Sequence, residues 1–443
     1  MQVGQNFIVD KKIVNVALPN GTKENQIWYQ FRIPITSYYG KVGEIPDFKS
    51  IRFMRMFLTD FEDSTVLRFA KLELVRNNWR RFAYALDTMG QYRSIDLAGP
   101  TSFDVSAVNI EENDRRDPIP YRIPPGIERV QAISNGGINI LQNEQAMTIR
   151  LCNLQDGDAR GVFKTLNHDL RQYKKLSMFI HAESVKGQIA INDGDVYGVI
   201  RIGSDFINNF YEIKFPLKLT PFGTTDPSII WPDLNAVDFN VNDLVNLKSE
   251  RNQANASTNA IYRKRIGNKT FSIVGNPNLG EIRGILAAFE NAKNVGGGRP
   301  ICTEVWINEL RLSGINQDDA WAATGQVNMQ LADLGSISVS GRMHTQGFGS
   351  LEQRVNERFR DNFRQLDFSS NLQLGKLLPK SWRLEVPFFA SYSEQMSMPQ
   401  YDPYDKDIFL KDKMNTFRDK RDSIRDDAVD FNSIRTINFT NVR

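Results

Sequence analysis

The chain has few of the residues on which most enzymatic sites depend. Its 443 residues include three His and two Cys, whereas metal centres and general acid–base catalysis draw heavily on these side chains. Glu304 and Glu309 share a predicted strand, but an odd offset along a strand directs side chains to opposite faces, so they form no acid–base pair. No nucleophile has a base beside it in the sequence. We therefore expect no catalytic residue, no metal site and no cofactor.

An excess of charge of one sign is also missing. The chain has 55 Lys and Arg against 52 Asp and Glu, a formal net charge of +3. Nucleic-acid binding needs clustered Lys and Arg, and the short basic cluster at 262–265 (YRKR) is typical of a solvated hairpin face. We expect no nucleic-acid partner.

Long apolar runs are absent as well. No stretch approaches the roughly 18 uninterrupted apolar residues of a transmembrane helix, and residues 1–10 lack the basic and apolar regions of a signal peptide. Either the protein is cytoplasmic or Met1 is not the natural start. Transmembrane β-strands are short and only half apolar, so they stay open as an interpretation. Cys152 and Cys302 could pair in an oxidising compartment, although two Cys without motif spacing are more often small buried residues.

From the start to about residue 314, short β runs alternate with turns. Residues 211–219 (YEIKFPLKL) alternate apolar and polar side chains, which is typical of a strand with one buried face. One helix candidate of one or two turns follows a possible N-cap at Asn240, with Val241, Leu244, Val245 and Lys248 at helical spacing. Many short strands with few helices predict an all-β fold built from antiparallel β-sandwiches.

An internal repeat divides this region. Residues 46–52 (PDFKSIR) resemble 277–283 (PNLGEIR), and each copy continues to a strand that holds a Glu-Leu pair, at 69–76 and at 305–312. We interpret the repeat as two related β-sandwich domains, an incomplete first domain at 1–100 and a second domain at 103–314. The proline-rich segment 111–125 is predicted to be an extended linker or wrap.

After residue 314 the predicted strands lengthen to about ten residues, the length that a tilted strand needs to cross a bilayer. Short connections at 332–335 and 375–381 alternate with long ones at 345–366 and 393–432. Outer-membrane barrels show this alternation, although the edge of a soluble sandwich gives the same period-two strand signal. We predict a partial transmembrane β-barrel with long charged loops over 321–443.

The alternation assigns side chains to two faces of the predicted barrel wall. Expected to face the lumen are Gln326, Asn328, Gln330, Ser336, Ser338, Ser340, Asn371 and Gln373. Expected to face lipid are Val327, Met329, Ile337, Val339, Leu384, Val386 and Phe388, the last three in a strand predicted to begin at Trp382. A bacterial barrel needs at least about eight strands. The five predicted strands, the last still under way at Arg443, therefore indicate an internal fragment of a much larger protein.

Other constellations favour structural interpretations. The glycine-rich stretches 296–298 and 347–350 lack the spacing of a phosphate loop. Residues 192–195 (NDGD) lack the rest of a calcium loop and fit a hairpin turn. His168 and His181 have no Cys partner at metal-ligand spacing.

Outside the strands after residue 314, aromatic residues give the one indication of a binding surface. A sugar-stacking platform could be formed by Trp28, Tyr29, Tyr38, Tyr39 and Trp231, because aromatic rings stack on the apolar faces of sugars, although most such rings belong to cores. This gives the alternative hypothesis, a secreted or surface glycan-binding β-sandwich protein without a transport role.

Several strings occur together in one order over nearly the whole chain. They are YRIPPG (121–126), NEQ (143–145), LQDGD (154–158), RIGSD (201–205), NFYE (209–212), EVWINELRL (304–312), LADLG (331–335), TQGFGS (345–350), NER (356–358) and NFTNVR (438–443). Any one string is weak, but the ordered set resembles the SprA/Sov family.

The resemblance implies the outer-membrane translocon of the type IX secretion system, found in gliding and related Bacteroidota. Such a protein is a very large β-barrel that passes folded proteins to the cell surface. The family implies galactose-binding-like, jelly-roll sandwich insertions and no catalytic residues. It also implies secreted cargo, PorV-like and plug proteins, and outer-membrane lipid as partners. We expect a location in the cell outer membrane, with the sandwiches on the extracellular side according to the short-turn rule.

Overall fold

The computed structural model divides the chain into two compact units, Met1–Leu74 and Val75–Arg443. The structure describes residues 6–17, 21–31, 33, 35, 38–40, 42–43, 54–70, 72, 79–86, 92–95, 99–129, 131–132, 140–293, 295, 297–315, 319–353 and 357–439.

The first unit contains an antiparallel hairpin of β1 (Ile8–Ala17) and β2 (Lys23–Phe31). Asn15 and Asn25 are paired in register, and their side chains share a hydrogen bond of 3.1 Å. The first copy of the repeat (46–52) and most of its predicted strand (69–76) lie outside the described residues, and the described residues 69, 70 and 72 are not in a strand. The first sandwich domain therefore stays a prediction.

The second unit contains all remaining strands and helices. Its strands are β3 (Arg80–Arg81), β4 (Ser102–Asn109), β5 (Gln131–Ala132), β6 (Ile140–Leu141), β7 (Gln145–Leu154), β8 (Ala159–His168), β9 (Tyr173–Ser184), β10 (Val196–Gly203), β11 (Phe210–Pro216), β12 (Val237–Asn240), β13 (Tyr262–Ile266), β14 (Lys269–Val274), β15 (Ile282–Asn291), β16 (Ile301–Ile315), β17 (Ala322–Leu331), β18 (Gly335–His344), β19 (Asp361–Gln373), β20 (Pro387–Pro399) and β21 (Asp430–Phe439). Its α-helices are α1 (Ile110–Asn113), α2 (Pro227–Ile230), α3 (Val241–Gln253), α4 (Leu410–Thr416) and α5 (Arg421–Ala428). No helix in the described part of the chain is long and apolar enough to cross a membrane.

Two antiparallel sheets form a β-sandwich. One has the strand order β13-β14-β11-β10-β15-β8-β3 and the other β12-β9-β16-β7-β4. Alternate side chains of both sheets, such as Ile200, Phe215, Ile149 and Val305, are fully buried in one shared core. Burying such a side chain stabilises the fold by about 1.5–3 kcal/mol. The all-β, antiparallel sandwich fold predicted from the alternation is confirmed.

A helix and a disulfide bond complete the sandwich. Helix α3 begins directly after the predicted N-cap Asn240 and buries Val241, Leu244 and Leu247 against the core. Cys152 on β7 and Cys302 on β16 form a disulfide bond. The pairing that the sequence left open is therefore made, and it joins two neighbouring strands of one sheet.

Strands β5 and β6 pair with each other, and the last five strands form a separate sheet with the order β17-β18-β19-β20-β21. Each strand pairs antiparallel with the next along the chain. Among the described residues this sheet is open, because β17 and β21 each have one strand neighbour. Residues 332–334 and 374–386 connect strands at one end, and 345–360 and 400–429 connect them at the other. The strand that was predicted to begin at Trp382 begins at Pro387.

Candidate functional site

The five-stranded sheet sorts its side chains by chemistry. In an antiparallel sheet, side chains of paired residues lie on the same face. Gln326 pairs with Ser340, and Ser340 pairs with Asp367 on the next strand. Followed across all five strands, this register defines a polar face. It comprises Thr324, Gln326, Asn328, Gln330, Ser336, Ser338, Ser340, Arg342, Gln365, Asp367, Ser369, Asn371, Gln373, Ser391, Ser393, Gln395, Asn432, Thr436 and Asn438, with a few apolar exceptions such as Phe389 and Ile434.

Hydrogen bonds join neighbouring strands across the polar face. Ser338 Oγ donates to Asn328 Oδ1 at 2.6 Å, and Arg342 Nε donates to Gln365 Oε1 at 2.7 Å. Ser393 Oγ donates to Asp367 Oδ1 at 2.6 Å. Most of these groups are small and uncharged, so they can hydrogen-bond to one another or to water. All eight side chains predicted to face a lumen lie on this face.

The opposite face is largely apolar. It comprises Val327, Met329, Leu331, Ile337, Val339, Met343, Leu366, Phe368, Leu372, Phe388, Ala390, Tyr392, Met396, Phe431, Ile437 and Phe439, interrupted by Arg364 and Glu394 towards one end and by Arg435 beside Tyr392 in the middle. Several members are well exposed, among them Val327 at 57% and Ile437 at 59%. Single exposed apolar side chains are ordinary, but a contiguous exposed patch marks an interaction surface.

Five of the seven side chains predicted to contact lipid lie within strands on this apolar face, and two do not. Leu384 and Val386 precede β20, because residues 380–382 form a 3₁₀-helix and Arg383 adopts a left-handed φ of 51°. Val386 still accepts a hydrogen bond of 2.8 Å from Leu374 N beside it. The predicted strand is therefore too long at its start, and the two residues belong to the connection 374–386.

A segment between β20 and β21, residues 400–413, lies against the sandwich and is called the docking loop below. Its Asp407 is buried, with 1% of the residue exposed. The Asp407 carboxylate accepts from Tyr211 Oη at 2.8 Å, from Lys248 Nζ at 3.1 Å and from the Leu279 backbone N–H at 2.5 Å. Burial of a carboxylate is costly unless it is paired and hydrogen-bonded. The three donors, from three parts of the sandwich, therefore fix the loop in place.

The electrostatics of this contact follow from its burial. Burial raises the pKa of Tyr211 well above its ordinary value, and the neighbouring Asp407 charge raises it further. Tyr211 therefore stays a neutral hydrogen-bond donor to the carboxylate. Arg171 adds a second contact, because its guanidinium donates to Lys406 O at 2.8 Å and lies 4.1 Å from the centre of the Tyr401 ring.

The sequence reasoning missed the docking loop, which it treated as a long charged connection. A signal was present in 401–410 (YDPYDKDIFL), where Asp residues alternate with aromatic and apolar ones. An exposed charged loop has little reason to carry so many apolar side chains. Tyr401, Ile408 and Leu410 are in fact buried.

The segment 111–125, predicted to be a linker or wrap, covers the outer face of the five-stranded sandwich sheet. Its Arg116 Nη2 donates to Glu183 Oε1 at 2.7 Å and to Glu304 Oε1 at 2.8 Å. His181 is fully buried, with Nδ1 2.9 Å from Ile230 O and Nε2 3.3 Å from Glu183 Oε2. Burial raises the pKa of Glu183, but the hydrogen bond from His181 and the Arg116 charge hold it below the ordinary value.

These buried polar residues have structural partners rather than the geometry of a reactive site. Glu304 also accepts from Trp306 Nε1 at 3.1 Å, and Glu309 pairs with Arg311. Among the described residues, no group of three or more His, Cys, Asp or Glu side chains could hold a metal ion. Trp231 is 2% exposed and donates its indole N–H to Arg122 O at 2.7 Å. Trp231 therefore belongs to the core, as favoured for most of these rings, and takes no part in a sugar-stacking platform.

The sequence profile of the SprA_N family, described as "motility related/secretion protein", matches residues 1–414. The chain belongs to this family. The resemblance to SprA/Sov proteins is thereby confirmed, and SprA_N is a motility and secretion family rather than an enzyme family. No curated protein matches the chain. The SprA_N match includes the sandwich, four strands of the separate sheet and the docking loop.

Proposed function

We propose that the chain is a segment of an outer-membrane channel that exports folded proteins to the cell surface, as in type IX secretion and gliding motility. The observation that carries the proposal is the register of β17–β21, which gives one sheet a polar face and an exposed apolar face. Membership of a motility and secretion family supports it. In this function the sheet is part of a barrel wall, with the apolar face against lipid.

Strand length supports the same function. Strands β17, β18 and β21 each have 10 residues. At about 3.4 Å per residue and a tilt of about 40°, such a strand rises about 26 Å, which matches the apolar band of about 25 Å in outer-membrane barrels. Because paired strands satisfy each other's backbone groups, only a closed barrel removes the free edges from lipid.

The polar face would line an aqueous lumen. Its small neutral side chains hold water, so a folded cargo protein meets few fixed charges or apolar surfaces on its way through. The partners are those that the family resemblance implies: secreted cargo, PorV-like and plug proteins, and outer-membrane lipid.

The sandwich lies at the end of the sheet that carries the longer connections, since the docking loop belongs to one of them. In outer-membrane barrels the short turns are periplasmic and the long loops extracellular. We therefore place the sandwich on the extracellular side in this proposal. The alternative, a glycan-binding sandwich without transport, loses Trp231 from its stacking platform because that ring is buried, whereas Tyr38 and Tyr39 are exposed.

Two neighbouring substitutions on β18 test the proposal. Val339 lies on the apolar face and Ser340 on the polar face. Arg at a lipid-facing site near the bilayer midplane costs about 2–4 kcal/mol, so Val339→Arg is expected to reduce insertion into the outer membrane and secretion of cargo. Ser340→Arg, the matched control, is expected to insert normally. Equal insertion of the two variants would rule out the assigned faces.

A further inference from the structure

The connection between β19 and β20, residues 374–386, has an unusual surface. It forms two 3₁₀-helices, Leu374–Leu377 and Lys380–Trp382. Leu377 is 68% exposed and Trp382 is 61% exposed. Three cations, Lys376, Lys380 and Arg383, stand among these apolar side chains, and Glu385 is the one acid of the segment. An ordinary polar turn would not need exposed Leu and Trp side chains beside clustered cations.

This connection lies at the end of the sheet opposite the sandwich. It shares that end with the tight turn 332–334, because Gln373 N donates to Leu334 O at 2.6 Å. Lys376 Nζ also lies 3.4 Å from Asp333 Oδ2 on that turn. Among the described residues, Lys380 and Arg383 have no such acidic partner within salt-bridge distance.

The apolar face of the sheet is most continuous towards the same end. Nearer the sandwich it is broken by Arg364 and Glu394, whose charged groups approach to 3.8 Å. Towards the turns it ends in a row that includes Leu372, Phe388 and Phe439, and the last two rings lie 5.1 Å apart. Leu377 and Trp382 are exposed apolar side chains in the connection at this same end of the sheet.

Trp side chains collect at the boundary between hydrocarbon and headgroups. Lys and Arg near that boundary lay their aliphatic stems along apolar surface and reach lipid phosphates, and their positive charge attracts them to an anionic surface. We propose that residues 374–386 are a membrane-interface anchor that binds the anionic headgroup layer on the side of the membrane away from the sandwich. The inference rests on the proposed function, because the anchor would set the depth of the proposed barrel wall in the membrane.

Depth-dependent quenching tests the anchor in the full natural protein reconstituted into phospholipid vesicles. A bimane dye is attached to Trp382→Cys, to Val339→Cys and to Tyr404→Cys, the last an exposed aromatic position on the docking loop. The dye at 382 is expected to be quenched most by a headgroup spin label, and the dye at 339 most by an acyl-chain spin label. The dye at 404 is expected to respond to iodide in water and to neither lipid label.

The outcomes separate the two proposals. Acyl-chain quenching at 339 with iodide quenching alone at 382 would overturn the anchor and leave the barrel wall standing. Iodide quenching alone at both positions would overturn both.

The charge component is tested by adding phosphatidylglycerol to phosphatidylcholine vesicles, which is expected to increase headgroup quenching at 382. The K380E/R383E variant is expected to lose that increase. The K411E variant, an exposed control on α4, is expected to keep it. If phosphatidylglycerol does not change headgroup quenching in the protein without these charge substitutions, the anchor is contradicted.

Discussion

The sandwich and the five-stranded sheet use the same strand pattern and differ in what covers the apolar side chains. In the sandwich, Ile200 and Val305 come from different sheets and are both fully buried in one core. In the five-stranded sheet, Val327 and Ile437 are more than half exposed. A period-two pattern therefore specifies that one face is apolar, but it does not specify whether protein or another apolar medium covers that face.

The comparison also locates where the two regions are joined. The docking loop joins them, and Asp407 is the buried polar group of that contact. Every buried polar group in a contact needs a hydrogen-bond partner, so such a contact permits one geometry, whereas an apolar contact can adopt several. The stability of the sandwich should therefore depend on its contact with the docking loop. The stability of the five-stranded sheet should depend on the medium around its apolar face.

The largest expected effect comes from breaking that contact with Asp407→Ala. The change removes the carboxylate and leaves Lys248, whose side chain is 1% exposed, without its nearest anionic partner. Removing one partner of a buried ion pair costs about 3–5 kcal/mol. Urea unfolding followed by tryptophan fluorescence should show this loss. Asp412→Ala, an exposed control on α4, should unfold like the unsubstituted protein, and equal losses in the two variants would contradict the account.

A smaller effect is expected from removing the disulfide bond that joins two strands of the sandwich. Replacing both Cys152 and Cys302 with Ser opens a loop with a sequence separation of 150. Loss of a native disulfide typically costs about 2–4 kcal/mol. The urea midpoint of the sandwich should fall, while acyl-chain quenching of a dye at Val339→Cys in vesicles should not change. A change in that quenching as well would show that the stabilities of the sandwich and the sheet are not independent.

The smallest effect is a pH dependence from Glu183 beneath the wrap. Its folded-state pKa is lowered from the ordinary value of 4.5, so its contribution to stability is present above that value. The contribution is lost as the pH falls through the lower folded-state pKa. Glu183→Gln should show a shallower fall in the free energy of unfolding below about pH 4.5. Identical pH profiles would remove Glu183 from the explanation.

Much of this architecture could be predicted from local patterns. The alternation in β17 and β18 and the start of the helix after Asn240 depend on neighbouring residues, and the structure has them where predicted, although the helix runs for 13 residues rather than one or two turns. The start of β20 was misplaced because Leu384 and Val386 continue the period-two pattern after the paired strand has ended. Gln373, the partner of Pro387, is the last residue of β19, so among the described residues those before Pro387 have no partner in a strand.

The docking loop could not be derived in the same way. Asp407 meets Tyr211, Lys248 and Leu279, each more than a hundred positions away along the chain. No local spacing encodes such a contact, because it exists only after the sandwich has formed. The same holds for Arg116, which meets Glu183 and Glu304 from a proline-rich segment.

The most direct test of the central claim is a nitroxide scan along β18 in the natural protein in membranes. Labels at Ile337 and Val339 are expected to be accessible to oxygen dissolved in lipid, and labels at Ser338 and Ser340 to a water-soluble nickel reagent. The account predicts this alternation with a period of two residues. Equal access of the nickel reagent at all four positions, or the opposite phase, would contradict it.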